Sequence, residues 1–468
     1  MKPFLYLIFI ISIAVVSCNK EQYYNSSDAA LKFSADTISF DTIFTSIGSS
    51  TQRLMVYNPY DKILKISGVK LVGSNTSPFS LNVDGKAGNV VTNIEIYPKD
   101  SMYIFVQVFV NPTGGNLPLL IRDSIMFTTN QNTQFVKLIA YGQDVHLIKK
   151  QSLKTQTWVA DKPYLIHGDV TLDTLETLTI AKGAIIYFHK QSNLLVKGTL
   201  VAEGDLTTPI LFRGDRLEKE YSEIPGQWGG IYLRPGSTNN LLNWVIIQNG
   251  TTGIQLGDYK SFTKPDLQLS NAIIKNMSYC SLLAIDAKMK AVNCVIADAA
   301  MYSMGLIGGG DYEFYHCTIA NYYGLYAGRD FSSAALKIAN YYMDSSIVVT
   351  GDLVNANFYN SIIYGNNSNE ILIENKEPQL FNYKFDHCLL RSLTFENTTK
   401  TEFTNIIWNN DPKFTFKPTA YLELDTLSSA KDKGDVSIGQ TYPLDLKKVN
   451  RTLDAGPDLG AYERVEKK

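Results

Sequence analysis

The sequence predicts an all-β fold: an antiparallel β-sandwich of immunoglobulin type, then a solenoid whose coils are each built from three short strands and three turns. Three observations carry this. About eight short β-rich runs, separated by turn residues and lacking a helical period, fill the first folded stretch. A six-residue pattern then recurs at intervals close to 23 residues, and the composition holds 28 Tyr and 22 Phe but only 5 His and 5 Cys. The balance of 43 Lys plus Arg against 45 Asp plus Glu leaves a net charge of −2 with no run of about five or more like charges, which argues against a nucleic-acid binder. At 45% hydrophobic and 19% charged residues, disorder is excluded as the dominant state.

The first element reads as an export signal. Met1 to Ser17 opens with Lys2, continues through the apolar stretch Phe4 to Val16 and closes on a small residue before Cys18. That stretch is shorter than the roughly 20 residues needed to span a bilayer as a helix. Val15-Val16-Ser17-Cys18 resembles the lipobox of bacterial lipoproteins, with Val15 where Leu is commonest. The resemblance implies cleavage after residue 17 and lipid attachment at Cys18; the alternative is ordinary secretion with an incidental Cys. Residues 18–30 then read as the lipidated Cys and a tether. From Asn19 to Ala30 it could hold the next domain up to about 40 Å from the lipid.

The first folded unit is expected over 31–146. Its strand candidates are Thr37 to Phe44, Leu54 to Tyr57, Leu64 to Leu71, Phe79 to Val83, Ile94 to Tyr97, Tyr103 to Val110, Ile125 to Phe127 and Phe135 to Tyr141. Turn chemistry separates them at Asn58-Pro59-Tyr60-Asp61, Asp84-Gly85 and Asn111 to Gly115. Tyr103 to Val110 is apolar on nearly both faces and should be central. The unit has no Cys and no catalytic constellation. The run from Leu31 to Asn58 resembles the immunoglobulin-like modules that precede repeat domains in surface lipoproteins of Bacteroidota-type bacteria, which implies a spacer or docking role.

The second unit is expected over 151–464. The pattern reads WVIIQN from Trp244, NAIIKN from Asn271, NCVIAD from Asn293, HCTIAN from His316, ALKIAN from Ala335, NSIIYG from Asn360, HCLLRS from His387 and TNIIWN from Thr404. A two-helix repeat needs about 33 residues or more, and the spacing of leucine-rich repeats is absent. Upstream, short β runs alternate with Gly183, Gly198, Gly204 and Gly214, each able to supply a positive φ at a tight corner. Including its closing PDLGAYE from Pro457, the unit resembles the right-handed parallel β-helix proteins of the pectate-lyase-like superfamily. That scaffold hosts lyases, hydrolases, esterases, adhesins and phage spikes, so the likeness fixes no activity.

Stacked coils repeat at about 4.8 Å, so equivalent positions form ladders. Asn271, Asn293 and Asn360 share one position with His316 and His387; Asn249, Asn276, Asn321, Asn340 and Asn409 share a second. Cys294, Cys317 and Cys388 fall on a small-residue position and are expected inside as packing residues. Free buried thiols are favoured for them and Cys280 over a Cys294–Cys317 disulfide. The five His lack HExxH spacing, so no metal site is expected.

Carboxylates are the chemical candidates, because β-helix hydrolases use clustered Asp, and the lyases use Asp or Glu with Ca²⁺ and a basic residue. Asp311 and Glu313 lie two apart, on one strand face at about 6.6 Å. Such a separation suits inverting glycoside hydrolysis if both point outward. Unbroken alternation back from an inward Cys317 would turn them inward, so a turn must intervene before His316. Arg329 and Asp330 follow one coil later. No paired-Asp motif like that of polygalacturonases and no basic motif like that of pectate lyases is present. Trp228, in the turn Gln227-Trp228-Gly229-Gly230, is either a sugar-stacking residue or a structural one.

The sequence therefore predicts a non-catalytic lipid-anchored cell-envelope protein, an outer-membrane lipoprotein, whose β-helix binds a polysaccharide or a surface protein. It carries no cofactor and no nucleic acid. The alternative is a polysaccharide lyase or glycoside hydrolase acting through the carboxylates, with Ca²⁺ only in the lyase case.

Overall fold

The computed structural model describes residues 22–112, 114–115, 119–258, 263–323, 333–417 and 420–464. They form two compact units, one ending at Asp144 and the other beginning at Val145. The described residues are almost wholly β; among them Val436–Thr441 is a short α-helical segment, begun by the Asp435 carboxylate, which accepts from Ile438 N.

The first unit is a sandwich of two five-stranded sheets. One is ordered Lys32–Phe33, Gln52–Tyr57, Ser101–Val108, Phe79–Val83, Lys86–Ala87; the other is ordered Thr37–Phe44, Asn132–Gln143, Leu119–Thr129, Leu64–Leu71, Val90–Ile96. Their inner faces share one core that includes Phe40, Leu54, Ile66, Phe79, Ile104 and Phe127. Pairing is antiparallel except between Thr37–Phe44 and Asn132–Gln143, which run parallel. Ser101–Val108 is central in its sheet, yet only Met102, Ile104, Val106 and Val108 face the core. Tyr103 and Phe105 point outward and pack on each other at 4.9 Å, which explains the two-faced apolar pattern.

The tether expectation fails from Gln22 onward. Tyr24 stacks on Tyr60 at 3.8 Å, Ile63 N donates to Gln22 O at 2.9 Å, and Ala29 and Leu31 are buried in the sandwich core. Two aromatic rings and two apolar side chains that can be removed from water outweigh the freedom of a short polar segment.

The second unit is a parallel β-helix. A representative coil runs through Ile185–Phe188, Leu194–Val196 and Thr199–Glu203, after which Ile210–Gly214 pairs in parallel with Ile185–Phe188. Repetition builds three parallel sheets, called first, second and third in that order. Side chains alternate, so Ile186, Phe188, Leu194, Val196, Leu200 and Ala202 fill the interior. Phe314, Phe358, Phe385 and Phe403 continue this inside the third sheet as a ladder with centroids 4.5, 4.8 and 5.2 Å apart.

The corner from third to first sheet needs a left-handed residue. Asn271, Asn293, His316, Asn360 and His387 occupy it with φ between 47° and 54°, a conformation the short Asn amide tolerates well. The amides bond up the stack: Asn293 Nδ2 donates to Asn271 Oδ1 at 3.3 Å, and Asn360 Nδ2 meets His316 Nε2 at 3.2 Å. Burial holds the His316 pKa well below normal, so its ring is neutral and can accept that bond. Two repeat assignments shift. ALKIAN lies on Ala334–Ala339 of the second sheet, and Asn405 (φ 54°), not Thr404, fills the last corner. Asn340 accordingly leaves the second Asn ladder, in which Asn276 Nδ2 donates to Asn249 Oδ1 at 2.7 Å.

The glycine expectation changes as well. Among the four, only Gly183 has a positive φ, 79°. Gly198, Gly204 and Gly214 are required by close approach: a Cβ on Gly198 would lie 2.1 Å from Glu176 O, and one on Gly204 would lie 2.4 Å from Trp244 O. The tail from Asp411 to Arg464 folds back over the outer face of the first sheet. There Leu422, Leu446 and Tyr462 pack on Val295 and Ala320, and Leu424 and Leu459 pack on Ile362 and Leu389.

Candidate functional site

Asp311 and Glu313 lie on the strand Tyr302–Tyr315, where it turns from the second sheet to the third. Gly308, Gly309 and Gly310 make that corner with φ of 70°, 94° and 123°. At Gly309 a Cβ would meet Asp352 O at 2.5 Å, and at Gly310 it would meet the Tyr312 hydroxyl at 2.2 Å. The glycines let Tyr312 tuck inside, where its hydroxyl donates to Gly309 O at 2.9 Å and accepts from Ala287 N at 3.1 Å. Tyr312 and Phe314 face inward, so Asp311, Glu313 and Tyr315 face outward. The chain then turns at His316, which brings Cys317 inside.

The outer face of the third sheet thus carries three rows in register. One runs Asp266, Lys288, Asp311, Asn355; the next runs Gln268, Lys290, Glu313, Asn357, Lys384; the third includes Tyr315, Tyr359 and Asp386. Asp311 accepts from Asn355 Nδ2 at 3.1 Å and lies 3.8 Å from Lys288 Nζ. Tyr315 stacks on Tyr359 at 5.1 Å and meets Tyr442 of the tail at 5.0 Å. Lys290 Nζ lies 5.3 Å over the Tyr315 ring, and Lys384 Nζ 5.7 Å over that of Tyr359. Partial burial and the neighbouring Glu313 charge push the Tyr315 hydroxyl pKa up, so it remains a neutral donor. Acidic, basic, amide and phenol groups alternate on this face. Asp311 is engaged by an amide and an ammonium rather than by Glu313, a donor set that does not fit Ca²⁺, which takes six to eight oxygens.

The other sequence candidates part company. Trp228 is corrected to a core residue: it is 1% exposed, stacks on Phe188 at 4.1 Å and donates through Nε1 to Gln248 O at 2.9 Å. Gly229 and Gly230 leave room for Asn193 and the Thr252 carbonyl, which explains the turn structurally. Arg329, Asp330 and Cys18 lie outside the described residues. Cys280, Cys294, Cys317 and Cys388 are buried free thiols, the last three in the predicted inward position. Burial pushes the thiols of Cys280 and Cys388 up to about 12. Among the described residues no three His, Cys, Asp or Glu side chains gather as a metal site.

One pair was missed. His189 Nδ1 lies 2.7 Å from Asp215 Oδ2, and the His189 ring stacks on His167 at 4.5 Å. Burial raises the Asp215 pKa, against the hydrogen bond from His189. The two residues stand 26 apart in sequence, about one coil, and a search for His and acid separated by the repeat would have found them.

Residues 166–319 match the family model described as right handed beta helix region, and the second unit is a right-handed parallel β-helix. No curated protein matches the sequence. Among solved structures, the catalytic unit of a thermostable GH87 alpha-1,3-glucanase from Streptomyces thermodiastaticus aligns over 76% of this chain and 87% of its own. That alignment has 10% identity and a TM-score of 0.25. A family 123 glycoside hydrolase from Clostridium perfringens aligns over 28% of this chain at 7% identity and a TM-score of 0.18; the chain covers only 30% of that protein. At these scores neither lends a residue role to this chain.

Proposed function

We propose that the protein is a lipid-anchored envelope protein of Bacteroidota type whose β-helix flank binds a polysaccharide without cleaving it. The observation that carries the proposal is the outward face of the third sheet, where the Tyr315–Tyr359 pair is bordered by Lys290, Glu313, Asn357 and Lys384. Aromatic faces and alternating donors and acceptors suit a hydroxyl-rich polymer laid along the coils. Anchoring rests on the lipobox-like Val15-Val16-Ser17-Cys18. Because the chain is docked from Gln22, an anchor at Cys18 has about 14 Å of extended chain, so the first unit, read as an immunoglobulin-like module, rides close to the lipid. Labelling cells with a fatty-acid analogue tests the anchor. Label that disappears in Cys18→Ala is expected; an unlabelled protein contradicts it.

A second reading, polysaccharide hydrolysis or elimination, is favoured by the His189–Asp215 pair. Its imidazole and carboxyl with a raised pKa are suited to moving protons. Products released from polysaccharide by the wild type but not by His189→Ala would replace the binding reading with this one.

A further inference from the structure

The outward column of the first sheet is apolar over most of its height: Leu211, Ile246, Ile273 and Val295 follow one another in register, and Ile362 and Leu389 continue beyond Thr318. The tail buries this column from Val295 to Leu389. Its cover is incomplete at Ile246 and Ile273, where a cavity of about 160 Å³ opens between sheet and tail. Trp244 forms one wall and Tyr421 and Tyr462 of the tail line the other side, with Asn271, Glu423 and Lys447 supplying the polar groups.

Trp244 is itself informative. It takes the left-handed corner, φ 52°, that Asn fills in the following coils, a conformation disfavoured for a bulky side chain. Its ring is held by Lys448 Nζ, 5.3 Å from the ring centroid, and Lys448 is fixed by Asp205 at 2.7 Å; Lys275 Nζ lies likewise 4.8 Å over Tyr421. A strained corner, two cation-fixed aromatic rings and an ion pair between Lys447 and Glu423 therefore converge on one small space.

The structure assigns this cavity to a single pyranose ring of a neutral sugar. The volume is well below the roughly 300–1,000 Å³ of pockets for drug-sized ligands, so one ring is the appropriate size. The C–H face of a pyranose stacks on Trp244 or Tyr421, and its edge hydroxyls reach a carboxylate, an amide and an ammonium, which together serve as acceptors and donors. The opposed charges of Glu423 and Lys447 favour an uncharged ligand. Glu423 and Lys447 pair with each other and Asn271 bonds within its ladder, so an aromatic peptide side chain would fill the same volume but add no hydrogen bond to this set, whereas ring hydroxyls add several.

This inference rests on and deepens the polysaccharide reading, adding a second sugar contact whose lining shares no residue with the Tyr315–Tyr359 face. The test uses the full secreted chain and methyl glycosides of glucose, galactose, mannose and N-acetylglucosamine, followed by saturation-transfer NMR and tryptophan fluorescence. At least one glycoside should bind with millimolar or better affinity. Tyr421→Ala and Glu423→Ala, folded by thermal melting, should each weaken it at least tenfold, whereas Tyr359→Ala should leave it unchanged. The inference is overturned if no glycoside binds, if binding survives both pocket substitutions, or if N-acetylphenylalaninamide binds instead. Polysaccharide retention that depends on Tyr359 in a protein that binds no glycoside would sink this inference alone. Glycoside binding with no polymer retention would sink the flank reading alone.

Discussion

Arg451 and Glu463 meet at 3.3 Å with both side chains fully removed from solvent. The same guanidinium donates to Asn293 Oδ1 at 3.1 Å and to Gly460 O at 3.2 Å, joining the tail to the corner ladder of the solenoid. The closing PDLGAYE segment is built around this contact: Glu463 Oε2 accepts from Asp458 N, Gly460 N donates to Asn360 O, and Ala461 N donates to Thr318 Oγ1. The motif thus pins the tail over the apolar column of the first sheet.

Removing one member of such a buried pair strips its partner of a hydrogen-bonding group, and above about pH 8, where Glu463 is ionised, also leaves a buried charge without compensation. Arg451→Ala should cost about 3–5 kcal/mol in urea unfolding, and Arg451→Ala with Glu463→Ala should cost clearly less than the two single changes added together. Additive costs would show that the two residues do not act as a unit.

Three carboxylates, Asp445, Asp458 and Glu463, surround one guanidinium. Burial, then repulsion from Asp458, raises Glu463 to about 8, and burial raises Asp458 to about 6. Unfolded, these groups release their protons near 4.5 and 3.8. Between those limits the folded protein binds more protons, so its stability must fall as pH rises from about 5 to about 8. The unfolding temperature should drop over that range, and Glu463→Gln should flatten the drop; a rise with pH would contradict the assignment.

Gly198→Ala places a methyl group 2.1 Å from a backbone carbonyl that belongs to the coil ladder, where nothing flexible can yield. A loss of at least about 1–3 kcal/mol is expected, read as a lowered urea midpoint. The same substitution at Gly48, with open space around its missing Cβ, should be near neutral. Comparable midpoints for the two variants would show that coil spacing does not set the glycine requirement.

Trp228→Ala should destabilise the β-helix by about 3–5 kcal/mol, because it empties a core position stacked on Phe188. Polysaccharide affinity of the folded variant should not change. The four buried thiols should be inert to a thiol reagent in the native protein and should all react in denaturant.

The sequence made the solenoid legible because its corners demand one backbone conformation, and Asn or His recurs at that corner from Asn271 onward, as at Asn293, His316 and Asn360. The inward Cys positions followed from the same register. What one-dimensional spacing could not show was contact across the stack. Gly198 and Gly204 look like turn residues until the neighbouring coil is placed against them, and Trp228 looks exposed until Phe188 is stacked on it. Ala335 was misassigned because a segment of a different sheet shared the local pattern by its own alternation. The outward placement of Asp311 and Glu313 turned on one left-handed residue, His316, and the His189–Asp215 pair joins residues related only through the coil repeat.

The most direct test of a binding, non-cleaving flank is to run the purified chain through gels cast with neutral and acidic polysaccharides while assaying the same polymers for reducing and unsaturated ends. At least one polymer should retard the wild type, Tyr359→Ala and Lys384→Ala should restore free mobility, and no new ends should appear. New ends that vanish in Asp311→Ala or His189→Ala, or mobility unaffected by every polymer, would contradict it.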